Sequence, residues 1–170
     1  MILYLHALQS PINIGMILRS AEVFEAEVWI YDRYSVLCSD EARRTISDFA
    51  CGAAERLNVR MLDMELQLPV HEHRIIATTI DSDAQPLSSF AWQADDIVCI
   101  GNEYDGISDT IAEKSDIALT IRLPNKHLPK PPSYSPIDPS RRTPPTNDGR
   151  PSLNTAVATS IILLDWYQKS

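Results

Sequence analysis

Cysteine is scarce in this chain of 170 residues, and what there is has the wrong spacing for a structural role. Cys38, Cys51 and Cys99 are odd in number and form no CxxC pair, while the histidines His6, His71, His73 and His127 are scattered. That argues against a disulfide framework and a structural zinc site, and for a reducing compartment. Long apolar runs are missing too. Spanning a bilayer takes roughly 20 apolar residues, no run approaches that, and the opening MILYLHALQS lacks the basic start of a secretory signal. A soluble, cytoplasmic protein is expected. Positive charge is also short: the formal net charge of -8 works against a nucleic-acid partner, since such proteins commonly rely on Lys and Arg to meet phosphates.

What is present suits one domain with its own core. The charge is unevenly spread. Between Pro124 and Pro151 stand Lys126, Lys130, Arg141, Arg142 and Arg150 against only Asp138 and Asp148, so a basic stretch sits in an otherwise acidic chain. Nine of the 12 prolines fall in the same stretch, which rules out a helix or a central strand running through it. A loop of this length inside a domain implies either a function or disorder. Too little chain follows it for a second core, so it reads as a Pro-rich insertion at about 125–151 of a single domain spanning 1–170.

Apolar periodicity predicts strands alternating with helices. ILYLHA, EVWIY, VRMLD, RIIATTI, IVCI and IALTIRLP read as strands, with VRMLD and RIIATTI as buried ones. SPIN, with Ser10, Pro11 and Asn13, is a helix-start signature, and Ile14, Ile17, Leu18, Ala21 and Phe24 continue at helical spacing. Residues 40–57 read as a second helical stretch capped by Asp40, and DTIAEKSD as a short one. A last helix is predicted from about Leu153, with Ala156, Val157, Ser160, Leu163, Leu164 and Tyr167 sharing one side. The pattern implies an α/β fold with a mostly parallel sheet, helices on both faces, and a ligand site at the carboxyl ends of the strands.

Three segments, NIGMILRSAEVF, IGNEYDGIS and the pair IRLP and SLNTAVATSII, together with ACGAAERL between them, resemble the motifs of the SpoU/TrmH family of RNA methyltransferases, in the same order and spacing. The resemblance covers nearly the whole chain. It implies an α/β knot (a deep trefoil knot), S-adenosyl-L-methionine as methyl donor with S-adenosyl-L-homocysteine as product, and a homodimer that completes the active site. Cofactor contacts carried over onto this chain are Thr79, Gly101, Asn102, Glu103, Leu123, Pro124, Ser152, Leu153 and Asn154. Catalytic positions are Arg19, with Asn13, Glu103, Ser152 and Asn154 around the reacting centre. No metal is implied.

The chemistry of these residue types is compatible. Gly101 ends a buried strand where a side chain would obstruct a ligand, or is simply a turn glycine; Gly106 reads as a turn residue. A guanidinium keeps its proton above pH ~12, so Arg19 suits a phosphate or hydroxyl anchor better than a base; the plain alternative is a surface ion pair with Glu22 or with a partner subunit. Asn13 and Asn154 are caps, ligands or both, and Ser152 with Asn154 fits a helix N-cap. Glu103 is expected to orient Asn13 and Arg19. Cys51 and Cys99 read as inert core residues, and His71 with His73 lacks a third metal ligand. The family's third motif is usually compact, whereas here Asn125 and the Pro-rich insertion intervene.

The leading function is therefore methyl transfer to a ribose 2'-hydroxyl of tRNA or rRNA. A methyltransferase of the same fold with a non-RNA acceptor, and a non-catalytic homodimeric RNA-binding protein, are the alternatives. With the first strand beginning at once, RNA recognition is expected to fall to the domain, its dimer and the insertion, through Lys126, Lys130, Arg141 and Arg142. Trp166 and Tyr167, with Phe24 on the first helix, are expected at the dimer interface or in the interior.

Overall fold

Every residue of β1 (Ile2–His6) is buried, because the strand has a neighbour on each side and a packed layer on each face. The computed structural model describes residues 1–65, 68–69, 72–124 and 152–170, together with the short antiparallel strand pair Ser133–Tyr134 and Arg142–Thr143. His71, His127 and the remainder of the Pro-rich insertion lie outside the described residues. So do Lys126, Lys130, Arg141 and the side chain of Arg142, and with them the phosphate contacts expected there.

Six further strands follow β1 in the main sheet: β2 (Glu27–Tyr31), β3 (Val59–Leu62), β4 (Ile75–Thr78), β5 (Gln85–Pro86), β6 (Ile97–Ile100) and β7 (Ile117–Thr120). Their order is β3-β2-β1-β6-β4-β7-β5, and every pairing is parallel. All their carboxyl ends therefore lie along one edge. Side chains alternate across the sheet. Leu3, Leu5, Val28, Ile30, Val98 and Ile100 enter one core, and Ile2, Tyr4, Trp29, Ile97 and Cys99 enter the other.

The first core is covered by α1 (Pro11–Val23), α2 (Asp40–Ala50) and α5 (Thr155–Lys169), the second in part by α4 (Asp109–Lys114) through Ile111. Where α1 crosses α2, a Cβ on Gly15 would stand 2.7 Å from the Ile46 carbonyl and 2.8 Å from the Phe49 Cβ, so only glycine lets the helices approach this closely. No helix among the described residues is long and apolar enough to cross a membrane.

Several boundaries differ from expectation for local reasons. The stretch 40–57 breaks at Cys51 and Gly52, whose φ values of 52° and 84° are left-handed; a short helix, α3 (Ala53–Arg56), follows. The N-cap of α2 is Ser39, whose hydroxyl accepts from the Ala42 N–H, and Asp40 takes the first helical position. Cys51 is exposed rather than part of the core, while Cys99 is buried, and burial pushes its thiol pKa up. VRMLD is not a buried strand: β3 is an edge strand with Arg60 and Met61 exposed. The last helix starts at Thr155 and buries Ala156, Thr159, Ile162 and Leu163, leaving Val157, Leu164 and Tyr167 exposed.

On the second face a polar anchor ties the end of β1 to two loops. His6 Nε2 lies 2.7 Å from Glu65 Oε1, Ser108 donates its hydroxyl to the same oxygen, and Tyr4 donates to the Glu65 carbonyl at 3.1 Å. Burial works to raise the Glu65 pKa, but the hydrogen bonds from Ser108 and His6 outweigh it and hold the carboxyl below its usual range. A depressed carboxyl pKa contributes stability that is present above the unfolded-state value of about 4.3 and is lost as the pH falls below it. Glu65→Gln should therefore cost about 1.5 kcal/mol at pH 7. In thermal unfolding that deficit should shrink as the pH drops below the carboxylate range; a pH-independent deficit would contradict the charged anchor.

Candidate functional site

The strand order sets the site. Because β6 and β4 are neighbours in register Ala77↔Cys99, and β4 and β7 in register Thr78↔Leu119, the residues just past their carboxyl ends stand side by side. Thr79 follows β4 and keeps the ladder for one more bond, its N–H donating to the Leu119 carbonyl at 2.9 Å. Gly101 follows β6 and Leu123 lies shortly beyond β7; all three are half-buried, and Pro124 next to Leu123 is exposed. This crest carries no charge of its own at Thr79, Gly101 or Leu123, which suits an uncharged, planar ligand edge better than a phosphate.

Gly101 has a reason internal to the chain. A Cβ there would stand 2.5 Å from the Gly106 carbonyl carbon and 2.7 Å from the Ile107 nitrogen, so glycine is required by the loop folding back on its own strand. Gly106, at φ 74°, is the turn residue expected. Asn102 holds this loop shut. Its backbone N–H and C=O both pair with Gly106 at 2.9 Å, its Oδ1 accepts from the N–H groups of Tyr104 and Asp105, and its Nδ2 donates to the Ala7 carbonyl. With these groups engaged and the residue 6% exposed, Asn102 shapes the wall of the site.

Glu103 is the junction of the site. Its carboxylate accepts from the backbone N–H groups of Gln9 and Ser10, at 2.9 and 3.1 Å, and from Asn13 Nδ2 at 2.9 Å. Asn13 Oδ1 in turn accepts from Asn154 Nδ2 at 3.0 Å, while Asn154 Oδ1 caps α5 by accepting from the Ala156 and Val157 N–H groups. Three segments far apart in sequence thus meet: the turn from β1 into α1, the loop after β6 and the start of α5. Ser10 is the N-cap of α1, accepting from the Asn13 N–H at 3.3 Å, and this leaves the Asn13 side chain free for the junction. Ser152 is exposed and Leu153 half-buried, directly before the cap. Beside the junction, burial first and the Glu103 charge second push the Tyr104 hydroxyl pKa up.

Arg19 is not brought into this cluster. Six residues beyond Asn13 on one helix, it lies about 9 Å along the axis and about a third of a turn around it. It is exposed, with Nη1 3.4 Å from the Cys51 sulfur. It does not pair with Glu22 either; that carboxylate pairs with Arg56. Around Arg19 the outer faces of α1 and α5 are apolar: Ile12, Met16 and Val23 on one helix, and Val157, Ile161, Leu164 and Tyr167 on the other, are exposed. The two helices pack together through Ser20 and Ser160, hydroxyl to hydroxyl at 2.9 Å, and through the Phe24 and Tyr167 rings at 5.8 Å. Phe24 and Trp166 thus pack within the chain, and the exposed stripe lies beside them. Missed from the sequence were the Gln9 and Ser10 backbone donors, which carry no side-chain signal, and the left-handed Ala7 at φ 54° that turns them toward Glu103.

A parallel α/β sheet with a crest of uncharged residues at its carboxyl edge, closed by a polar junction to the C-terminal helix, defines a ligand-binding α/β protein. The sequence model of the SpoU rRNA Methylase family matches residues 1–127, and the chain belongs to that family. Among curated proteins it is similar to the human mitochondrial rRNA methyltransferase 1, with 28% identity over 175 residues that cover 95% of this chain and 43% of that protein. The chain therefore spans less than half of that relative. Among solved structures it resembles the SpoU methyltransferase AviRb of Streptomyces viridochromogenes in complex with AdoMet, with TM-score 0.71, 17% identity, and 99% of this chain and 60% of that one covered. It also resembles a protein described for 2-OH methylation of C/U34 on tRNA, with TM-score 0.70, 19% identity, and 99% of this chain and 94% of that one covered.

The junction makes a direct prediction. Glu103→Gln replaces one of the two acceptor oxygens with an NH2 donor, so at least one of the three N–H donors loses its acceptor, and should lower stability by about 2 kcal/mol, or roughly 4–8 °C in melting temperature for a domain of this size. Asn13→Ala combined with it should be non-additive by at least ~0.5 kcal/mol. Simple additivity in thermal unfolding would show that the two side chains do not share one network.

Proposed function

We propose that this protein is an S-adenosylmethionine-dependent methyltransferase acting on a ribose 2'-hydroxyl of tRNA or rRNA, as a homodimer with an α/β knot. The observation that carries it is the junction at Glu103. It draws the three motif segments to the carboxyl edge of the sheet, where the start of α5 must stand if that helix is threaded against the loop after β6. Membership of the SpoU rRNA Methylase family supports the reaction class, and the likeness to a tRNA 2-OH methylation protein supports the acceptor.

In this reading the cofactor's adenosyl part lies on the crest, against Thr79, Gly101, Leu123 and Pro124, with Asn102 shaping the loop. Ser152, Leu153 and Asn154 close the other side. The group supplies an electrophilic methyl on a sulfonium, whose transfer is an in-line displacement limited by alignment and by loss of the hydroxyl proton. Glu103 fixes Asn13 and Asn154, and those amides orient the acceptor. Arg19 anchors the substrate through phosphate or developing oxyanion, because a fixed guanidinium stabilises negative charge without giving up its proton.

Since Arg19 lies away from the junction on its own helix, it serves the site of the partner subunit. The exposed apolar stripe on α1 and α5 that surrounds it is the dimer interface, being larger in extent than scattered surface apolar residues require. A cytoplasmic location completes the reading, resting on the free cysteines Cys38, Cys51 and Cys99. The net charge of -8 favours one second reading, a methyltransferase with a non-RNA acceptor.

Transfer of labelled methyl from the cofactor into total RNA of cells lacking the gene tests the proposal. Label in RNA, released as a 2'-O-methylnucleoside, is expected; label in protein or small molecules would promote the second reading. Arg19→Ala should lower transfer by at least ~100-fold while leaving S-adenosylhomocysteine affinity in calorimetry unchanged. Full activity in that variant would show that the reacting centre is misplaced.

A further inference from the structure

The natural ion-pair partner of Arg19 is Glu22, three residues on along the same helix, where side chains of opposite charge meet. That partner is already engaged. Arg56, at the end of α3, reaches back across the turn from α2 and grips Glu22 with two bonds, Nε to Oε1 and Nη2 to Oε2, the latter at 2.7 Å. The same Nη2 donates to the Cys51 carbonyl at 3.3 Å. Glu22 is held below the usual carboxylate range by its hydrogen bond from Arg56, and Arg56 is pushed up by the same bond.

The turn is shaped for this reach. Cys51 and Gly52 are both left-handed, and a Cβ on Gly52 would stand 2.5 Å from Arg56 Nη1, in the space the guanidinium uses. Arg19 is left with the Cys51 sulfur, 3.4 Å from its Nη1. A sulfur is a weak acceptor, so the remaining N–H groups of Arg19 and its charge stay available to a stronger one. One residue, Cys51, thus contacts both guanidinium groups, with its side chain toward Arg19 and its carbonyl toward Arg56.

We propose that Arg56 is a positioning residue that acts through Glu22: by occupying this carboxylate with both of its oxygens, it keeps Glu22 from pairing with Arg19 and leaves Arg19 open to substrate oxygens. The inference rests on the reading of Arg19 as the substrate anchor. Planar two-point pairing matters here, because an ammonium in place of the guanidinium holds a carboxylate as a point charge and leaves one oxygen free.

The test compares wild type with Arg56→Met, Arg56→Lys, Glu22→Gln, the double variant Arg56→Met with Glu22→Gln, and Arg19→Ala. Each is assayed for methyl transfer into total RNA from cells lacking the gene, and by calorimetry with S-adenosylhomocysteine. Arg56→Met should lower kcat/KM about fivefold, the factor that corresponds to the ~1 kcal/mol upper end for an exposed ion pair, with cofactor affinity unchanged. Glu22→Gln alone should match wild type, and adding it to Arg56→Met should restore the rate to within about twofold of wild type. That rescue is what a merely structural arginine would not give. Arg56→Lys should fall between the two, and it carries the same comparison if Arg56→Met does not fold. A wild-type rate in Arg56→Met, or a double variant as slow as Arg56→Met, overturns the inference while Arg19→Ala remains inactive. Full transfer by Arg19→Ala, or no transfer by wild type, overturns the reading beneath it as well.

Discussion

One carboxylate organises the functional end of this molecule. Glu103 accepts from two backbone N–H groups and one side-chain amide, all charge-assisted bonds in a half-buried position, and the groups it gathers come from residues 9, 10 and 13, some ninety positions away in sequence. Hydrogen bonds to an ionised acceptor are worth about twice a neutral one, and removing such an acceptor leaves its donors unpaired. The parallel sheet makes the junction possible, since β1 and β6 are neighbours and their carboxyl-end loops must emerge together. Asn13 then passes the constraint to Asn154, so the capping of α5 and the placing of its start against the loop after β6 are set by one connected group of bonds.

Much of this was legible in the residues. Alternating strand and helix patterns gave the parallel α/β fold, and β1 and β6 stood out as short apolar runs because strands buried on both faces carry few polar residues. Asn154 announced itself as a cap. What periodicity did not carry was tertiary in origin. The stretch 40–57 is helical by composition, yet it breaks at Cys51 and Gly52 because two left-handed residues turn it back toward α1. Val157, Leu164 and Tyr167 were grouped with Ala156 and Leu163 on one side of the last helix, whereas they are exposed; apolarity alone does not distinguish a face covered by the chain itself from one left uncovered. Gly101 was open between clearing space for a ligand and serving a turn, and the loop folding back on its own strand requires glycine there.

The roles of the polar residues divide along the same line. Asn13, Glu103 and Asn154 belong together within one chain, and the sequence pattern that named them also named Arg19, which stands apart on the outer side of α1 among exposed apolar residues. An exposed guanidinium inside an apolar stripe is costly to cover unless another group pairs with its charge. In the proposed homodimer a second subunit would account for both facts at once, by burying the stripe and bringing Arg19 to a junction it does not reach within its own chain. In an acidic chain, a few cations placed this way matter more than the overall charge, because local potential governs contact with a phosphate.

The most direct measurement is a crystal structure of the protein with S-adenosylhomocysteine. The account predicts the nucleoside at the ends of β4, β6 and β7, touching Thr79, Gly101 and Leu123, with its sulfur toward Asn154 and with Arg19 of the partner subunit facing it. A ligand bound away from that edge, or one that leaves the start of α5 untouched, would contradict it.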